Sequence, residues 1–202
     1  CIGMSCKSNE IWVLAEEICQ NDEVMAVLGN MLEKHEGIIC HNGKFDLQVL
    51  DRLSIAKSSK VYFDTMLASY ALDERQGVHG LKYLSAELLG APAYDLEIKQ
   101  YVSGGQSFAN IPRHLLYKYN AYDVALTHEL FEHYTHRLAV EGLRELHDFL
   151  VKIANDLMLL ELDGIKVNMD YLDELTDSYL EELVETEEAL KQWVENPRSP
   201  KQ

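Results

Sequence analysis

The stretch Ile38-Ile39-Cys40-His41-Asn42-Gly43-Lys44-Phe45-Asp46 decides the fold. Its first three residues are a short continuous apolar run, the signature of a strand in a sheet covered on both faces. The chain then turns into a helix, expected over about 44–53, with Phe45, Val49, Leu50 and Leu53 on one stripe. A buried strand running into a helix is the unit of layered α/β proteins, whose ligand sites gather at strand ends. Asp46 falls in the first helical turn, where its carboxylate can face the strand end. Taken alone, it is better read as an acid favoured by the helix dipole, worth about 0.3–1 kcal/mol.

The same alternation extends outward. Cys1–Cys6 and Ile11–Leu14 read as two strands joined by the polar turn Lys7-Ser8-Asn9. Asn21-Asp22-Glu23 caps a helix whose apolar positions Val24, Val27, Leu28, Met31 and Leu32 recur at helical spacing. Val61-Tyr62-Phe63 is a second buried strand, followed by helices over Thr65–Leu72 and Leu81–Leu89. Residues Gly90–Ala109 carry Gly, Pro and Ser and read as a loop. Long helices follow, from near Pro112 to Val140, over Leu143–Leu162, and over Asp170–Val194, with Ile165-Lys166-Val167 extended between the last two. The expected class is α/β with a C-terminal helical extension. Three regions are expected: a domain over 1–140, a helical connector over 141–195, and a following segment over 196–202.

Composition narrows the function. Hydrophobic residues make up 47% of the 202, ordinary for a globular chain. No run of 18 uncharged apolar residues offers a membrane span, and no apolar signal segment opens the chain. Cys1, Cys6, Cys19 and Cys40 show neither C-x-x-C nor zinc spacing and read as free thiols of a reducing cytosol. The net charge of −16 runs against a basic nucleic-acid-binding face. The acidity is uneven: residues 141–195 hold 16 acids against 4 bases, and residues 1–140 hold 18 against 12. The chain opens at Cys1 inside a strand-like run and is expected to be a piece of a longer protein.

A second constellation is Tyr119-Asn120-Ala121-Tyr122-Asp123. Tyr119 and Asp123, four apart on a helix, project from one face. A phenol beside a carboxylate can orient a metal-bound water, although an amphipathic helix with a core Tyr and a solvated Asp explains the isolated pattern better. The order N-x-x-F-D (Asn42, Phe45, Asp46), then Phe63-Asp64-Thr65-Met66, then Y-x-x-x-D (Tyr119, Asp123) is more specific. It resembles the tyrosine branch of the DEDD 3′→5′ exonucleases, which have an RNase H-like mixed sheet flanked by helices. Leu81-Lys82-Tyr83-Leu84-Ser85, Leu160 to Val167, and Ser199-Pro200-Lys201-Gln202 resemble the corresponding segments of family A, polymerase-I type DNA polymerases. RNase D-like nucleases share the motifs but leave the last forty residues unexplained.

The resemblance implies hydrolysis of the last phosphodiester at a DNA 3′ end. Two Mg²⁺ or Mn²⁺ ions about 3.5–4 Å apart would clamp the scissile phosphate. Hard cations take oxygen ligands. By the motif match Asp123 would ligate the water-bearing metal, Asp46 would ligate the second, and Tyr119 would orient the attacking water. Asn42 and Phe45 would shape the site, with His41 and His79 as weaker substrate contacts. Single-stranded ends would be held by backbone contacts and stacking, without sequence preference. The implied setting is the bacterial or phage-infected cytoplasm, with a polymerase domain in the same parent chain and no membrane. One departure matters: the family's D-x-E lies on the strand before a segment like Cys1–Cys6, so two of four expected carboxylates would lie upstream of Cys1. The expected consequences are a nearly inactive 202-residue piece or, as the runner-up, a non-catalytic scaffold.

Overall fold

The computed structural model describes residues 1–7, 10–55, 59–102 and 107–198. Two compact units make up the chain, Cys1–Leu162 and Asp163–Gln202.

In the first unit, β1 (Ile2–Lys7) and β2 (Glu10–Leu14) pair antiparallel, with Gly3 opposite Val13 and Met4 opposite Trp12. Ser8 and Asn9 of the expected turn lie outside the described residues. A single turn, α1 (Glu16–Cys19), leads into α2 (Asp22–Lys34). The Asn21 side chain caps α2, accepting from the Glu23 and Val24 N–H groups at 3.0 and 3.1 Å. Next, β3 (Ile38–Cys40), α3 (Gly43–Arg52) and β4 (Val61–Asp64) form a parallel pair with its crossover helix. Among the described residues these strands make two separate two-stranded sheets, and no ladder joins them.

The core gathers where α4 (Thr65–Leu72), α5 (Leu81–Leu89) and the 29-residue α7 (Arg113–Glu141) meet behind β4. Phe63, Ala68, Leu84, Leu130, Tyr134 and Leu138 are buried together there. The segment expected as a loop over 90–109 contains a helix, α6 (Leu96–Val102), held by Ile98, which is buried. Residues 103–106 lie outside the described set. The α3 stripe also differs from expectation: Leu47 is buried, while Phe45 and Leu53 are 63% and 59% exposed. The reason is steric. Gly43 meets the strands so closely that a Cβ there would lie 2.6 Å from Val61 and 2.8 Å from Cys40. That approach rotates α3 so that Leu47 packs on Val61, Val151 and Met158.

Helix α8 (Arg144–Asp163), assigned from sequence to the connector, packs Val151 and Met158 into this unit. It also seals the outer edge of β4. The Asn155 amide donates to the Val61 C=O and accepts from the Val61 N–H, both at 3.0 Å. The buried ring of His147 lies against Phe63, with its Nε2 beside the Asp64 backbone. A helix thereby supplies the pairing that a further strand would have given.

One buried carboxylate ties the two strand-to-helix turns together. Asp64 caps α4 by accepting from the Met66 and Leu67 N–H groups at 2.8 and 3.3 Å. It also accepts from the Asn42 and Gly43 N–H groups at 3.1 and 2.8 Å. Four orphan donors of two helix starts are satisfied by one side chain.

In the second unit, α9 (Met169–Leu190) starts at Asn168, whose side chain accepts from the Tyr171 N–H at 3.3 Å. Arg198 pairs with Glu187. Ile165 and Trp193 are 93% and 79% exposed.

Asp64→Ala is expected to lower unfolding stability by about 2–4 kcal/mol, because losing a cap costs about 1 kcal/mol and each buried donor left unpaired costs about 1–3 kcal/mol. Asp64→Asn, which keeps one acceptor oxygen, should recover part of it. Urea midpoints of the two variants check this, and equal midpoints for wild type and Asp64→Ala would refute the tie.

Candidate active site

The site is built where the β3–α3 turn faces α7. Asn42 adopts the left-handed conformation (φ 63°, ψ 50°), which Asn tolerates better than most residues. This sharp turn aims two N–H groups at Asp64 and brings α3 up immediately behind the strand. Asp46 therefore stands in the first turn of α3, as the sequence predicts. Asn42 makes no side-chain cap and stays exposed, as does Phe45. On α7, Tyr119 and Asp123 lie one turn apart and are both half-buried. Gly3 of β1 packs beside them: a Cβ there would come within 2.2 Å of the Asn120 Oδ1 and 2.7 Å of Val124.

The carboxylate of α7 reaches that of α3 through its charge. Asp46 keeps solvent-exposed surface, yet the protein around its carboxyl displaces part of its water. That desolvation, followed by repulsion from Asp64 and Asp123, pushes its carboxyl from 3.8 up to about 6. Burial also raises Asp123, against the pull of the Tyr94 hydroxyl, Lys82 and Tyr119. The Tyr94 hydroxyl donates to Asp123 at 2.5 Å. Its ring stacks on Tyr122 at 5.1 Å and lies 5.6 Å from Tyr119. Lys82 of α5 reaches the same place: its ammonium donates to the Tyr119 hydroxyl and lies 4.0 Å from Asp123.

The two histidines separate. His41 is half-buried at the turn, its Nδ1 2.8 Å from the Thr65 hydroxyl. That hydroxyl donates to the Cys40 C=O at 3.2 Å, so it accepts from Nδ1–H. Burial holds the ring down to about 4, and it is neutral at pH 7. His79 is 3% exposed, bonded to Ser69 at 2.8 Å and stacked on Tyr70. In this conformation His79 offers almost no surface to a substrate.

Sequence reasoning missed several residues here. Asp64 carried an N-cap signal, an acid directly before a helix. Tyr94 carried none, and Lys82 stood in a family-like segment with no sign of its role, since only the fold brings them to Asp123. A D-x-E spacing at Asp95-Leu96-Glu97 was open to view. It lies at the start of a helix, with Asp95 on Lys99 at 3.1 Å and Glu97 on Lys118 at 3.0 Å. Among the described residues, no three His, Cys, Asp or Glu side chains converge closely enough to hold a metal ion.

An acid in the turn after a buried strand, with a phenol and a carboxylate on helix α7, defines an acid-bearing α/β domain. Comparison with known proteins makes this specific. A family model described as 3′-5′ exonuclease, of the family A DNA polymerases, matches residues 1–139. DNA polymerase I of Treponema pallidum is 30% identical over 144 residues, covering 70% of this chain and 14% of that protein. DNA polymerase I of Chloroflexus aurantiacus is 31% identical over 167 residues, covering 78% and 17%. A DNA polymerase of Escherichia phage T5 is 27% identical over 192 residues, covering 86% and 22%. This chain belongs to the 3′-5′ exonuclease family of family A DNA polymerases. It spans less than a fifth of the length of the two bacterial relatives.

The Asp46 shift carries a pH signature. Its native value, about 6, lies above the ordinary 3.8, so the folded chain retains a proton that the unfolded chain releases between those values. Its contribution to stability therefore falls as pH rises through that window. Without added metal, Asp46→Asn is expected to melt above wild type at pH 7.5, with the difference shrinking towards pH 4. Calorimetric scans across that range check the sign, and a variant less stable than wild type at pH 7.5 would refute it.

Proposed function

We propose that this chain is the proofreading exonuclease region of a DNA-directed DNA polymerase, hydrolysing the 3′-terminal phosphodiester of DNA. The observation that carries the reading is the exonuclease family match over residues 1–139, with Asp46 at the β3–α3 turn in the field of Asp123 and Tyr119 one helical turn from Asp123. Acids brought together against their own charge are a hallmark of functional sites. The polymerase names of the relatives favour this reading over an RNase D-like nuclease.

The donor chemistry fits a divalent cation. Both acids offer hard oxygen ligands, Mg²⁺ and Mn²⁺ prefer them, and a cation would relieve the repulsion. The set is short, because these 202 residues supply two of the family's four site carboxylates. Asp46 and Asp123 would hold the ions, which when bound would neutralise phosphate charge and acidify the attacking water. The Tyr119 hydroxyl would orient that water. Asn42 and the exposed Phe45 ring line the approach, where Phe45 offers a stacking face to a terminal base.

The finer fold reading rests on edges. α8 pairs the outer edge of β4, which leaves the far side of β3 for any further strand. The proposed fold is an RNase H-like mixed sheet, in which that open edge of β3 would link the two small sheets. The proposed partners are a single-stranded or frayed DNA 3′ end and a polymerase domain in the same chain. The proposed division remains 1–140 exonuclease, 141–195 connector and 196–202 polymerase start. Among the described residues no helix is long and apolar enough to cross a membrane, and the proposed location is the cytoplasm.

A 5′-labelled single-stranded oligonucleotide with Mn²⁺ tests the reading. A chain carrying all four carboxylates is expected to give a ladder of shortened products. The ladder should be lost on chelation, and Asp46→Ala or Asp123→Ala should slow it by more than the roughly 100-fold reached by outer-shell losses. The 202-residue chain alone should be nearly silent. A ladder indifferent to both substitutions would overturn the assignment, and silence from the four-carboxylate chain would favour the scaffold.

A further inference from the structure

Lys82 takes no part in the motifs that define the family pattern, yet its side chain ends inside the site. The ammonium reaches across from α5 to α7, donates to the Tyr119 hydroxyl, and lies 4.6 Å from the centre of the Tyr119 ring. It is 4.0 Å from the nearer Asp123 oxygen and 5.7 Å from the Tyr94 ring. Its side chain keeps 42% of its surface exposed. A surface ion pair of this exposure contributes little stability, about 0–1 kcal/mol, so folding alone gives little reason for a cation here.

The hydrogen-bonding inventory supplies a reason. A phenol oxygen has one donor and two acceptor positions, and its hydroxyl rotates to suit its partners. An ammonium has three donors and no acceptor. When Lys82 donates to the phenol, it occupies one acceptor position and restricts the rotor. The O–H is drawn to Asp123, and the other lone pair remains to accept from a water. The same ammonium lies beside Asp123, whose charge holds it in place. One cation thus fixes the two α7 groups relative to each other.

Resting on the exonuclease reading above, we propose that Lys82 is a positioning residue, which sets the Tyr119 hydroxyl and the Asp123 carboxylate in the geometry that orients the attacking water. Lys82 acts through Tyr119 and makes no bond to the reacting atoms. An Arg at this position keeps the charge and the donors; a Met keeps the length and loses both.

Two measurements test this. The first uses the 202-residue chain and needs no activity. In a proton–nitrogen spectrum tuned to lysine side chains, a held ammonium exchanges slowly enough to be seen when exposed ones are not. A cross-peak that Lys82→Met removes, and that Tyr119→Phe also removes or broadens, is expected. Its absence from wild type, or its indifference to Tyr119→Phe, would overturn the proposal. The second uses a chain carrying all four carboxylates. Lys82→Met should lower the single-turnover rate at saturating DNA roughly 10–100-fold, the range for partners behind a site's ligands. KM should stay within about twofold of wild type, and Lys82→Arg should recover most of the rate. In a Tyr119→Phe background Lys82→Met should add almost nothing, because its route is already cut. Additive losses, or a raised KM at unchanged saturating rate, would make Lys82 a substrate contact and overturn the proposal. Full activity of Asp123→Ala in the same assay would instead show that the exonuclease reading had failed.

Discussion

The Asp64 carboxylate is the constraint on which the rest of the structure depends. Two parallel strands ending side by side each hand the chain to a helix, and each helix start leaves backbone donors without partners. Asp64 is the last residue of one strand and reaches the turn after the other, so one side chain accepts from both helix starts. The tight left-handed turn at Asn42 and the closeness of Gly43 to the strands follow from that tie. So does the orientation of α3, which carries Asp46 to the end of the sheet.

Asp64 and Asp46 show how one residue type serves opposite ends. Asp64 is buried among four N–H donors that compensate its charge. Asp46 lies in the neighbouring turn without such donors, and desolvation, followed by the nearby acids, pushes its proton affinity up. The difference comes from backbone geometry: the donors point at one carboxylate and away from the other. On α7, Asp123 is compensated piecemeal by the Tyr94 hydroxyl and the Lys82 ammonium, groups remote from it in sequence. A stable domain carries this local imbalance because its core lies elsewhere, around Phe63, Leu130 and Leu138, where apolar burial supplies the stability.

Much of the architecture was legible because its signals are local. Asn21 before a helical period marked α2, and Pro112 stood just before α7. The short apolar runs at Ile38–Cys40 and Val61–Phe63 fell within strands. The rotation of α3 was not legible, since a periodic stripe says that a helix has a buried side without saying what meets it. Nor was α6 inside a Gly- and Pro-bearing segment, where the burial of Ile98 outweighs weak local preference. His79 read as a surface histidine or a weak substrate contact, and the fold put it in the core.

The sequence by itself determined the family, most of the order of elements, and the spacing that puts Tyr119 and Asp123 one helical turn apart. These depend on spacing along the chain, which residue order carries in full. Tertiary structure alone decided that Asp64 joins two turns, that Asn155 and His147 of α8 take the edge of β4, and that Lys82 and Tyr94 arrive at Asp123. Those contacts span from 21 to 94 positions. Only the packing of helices on strands fixes such distances, and no periodicity in the chain encodes them.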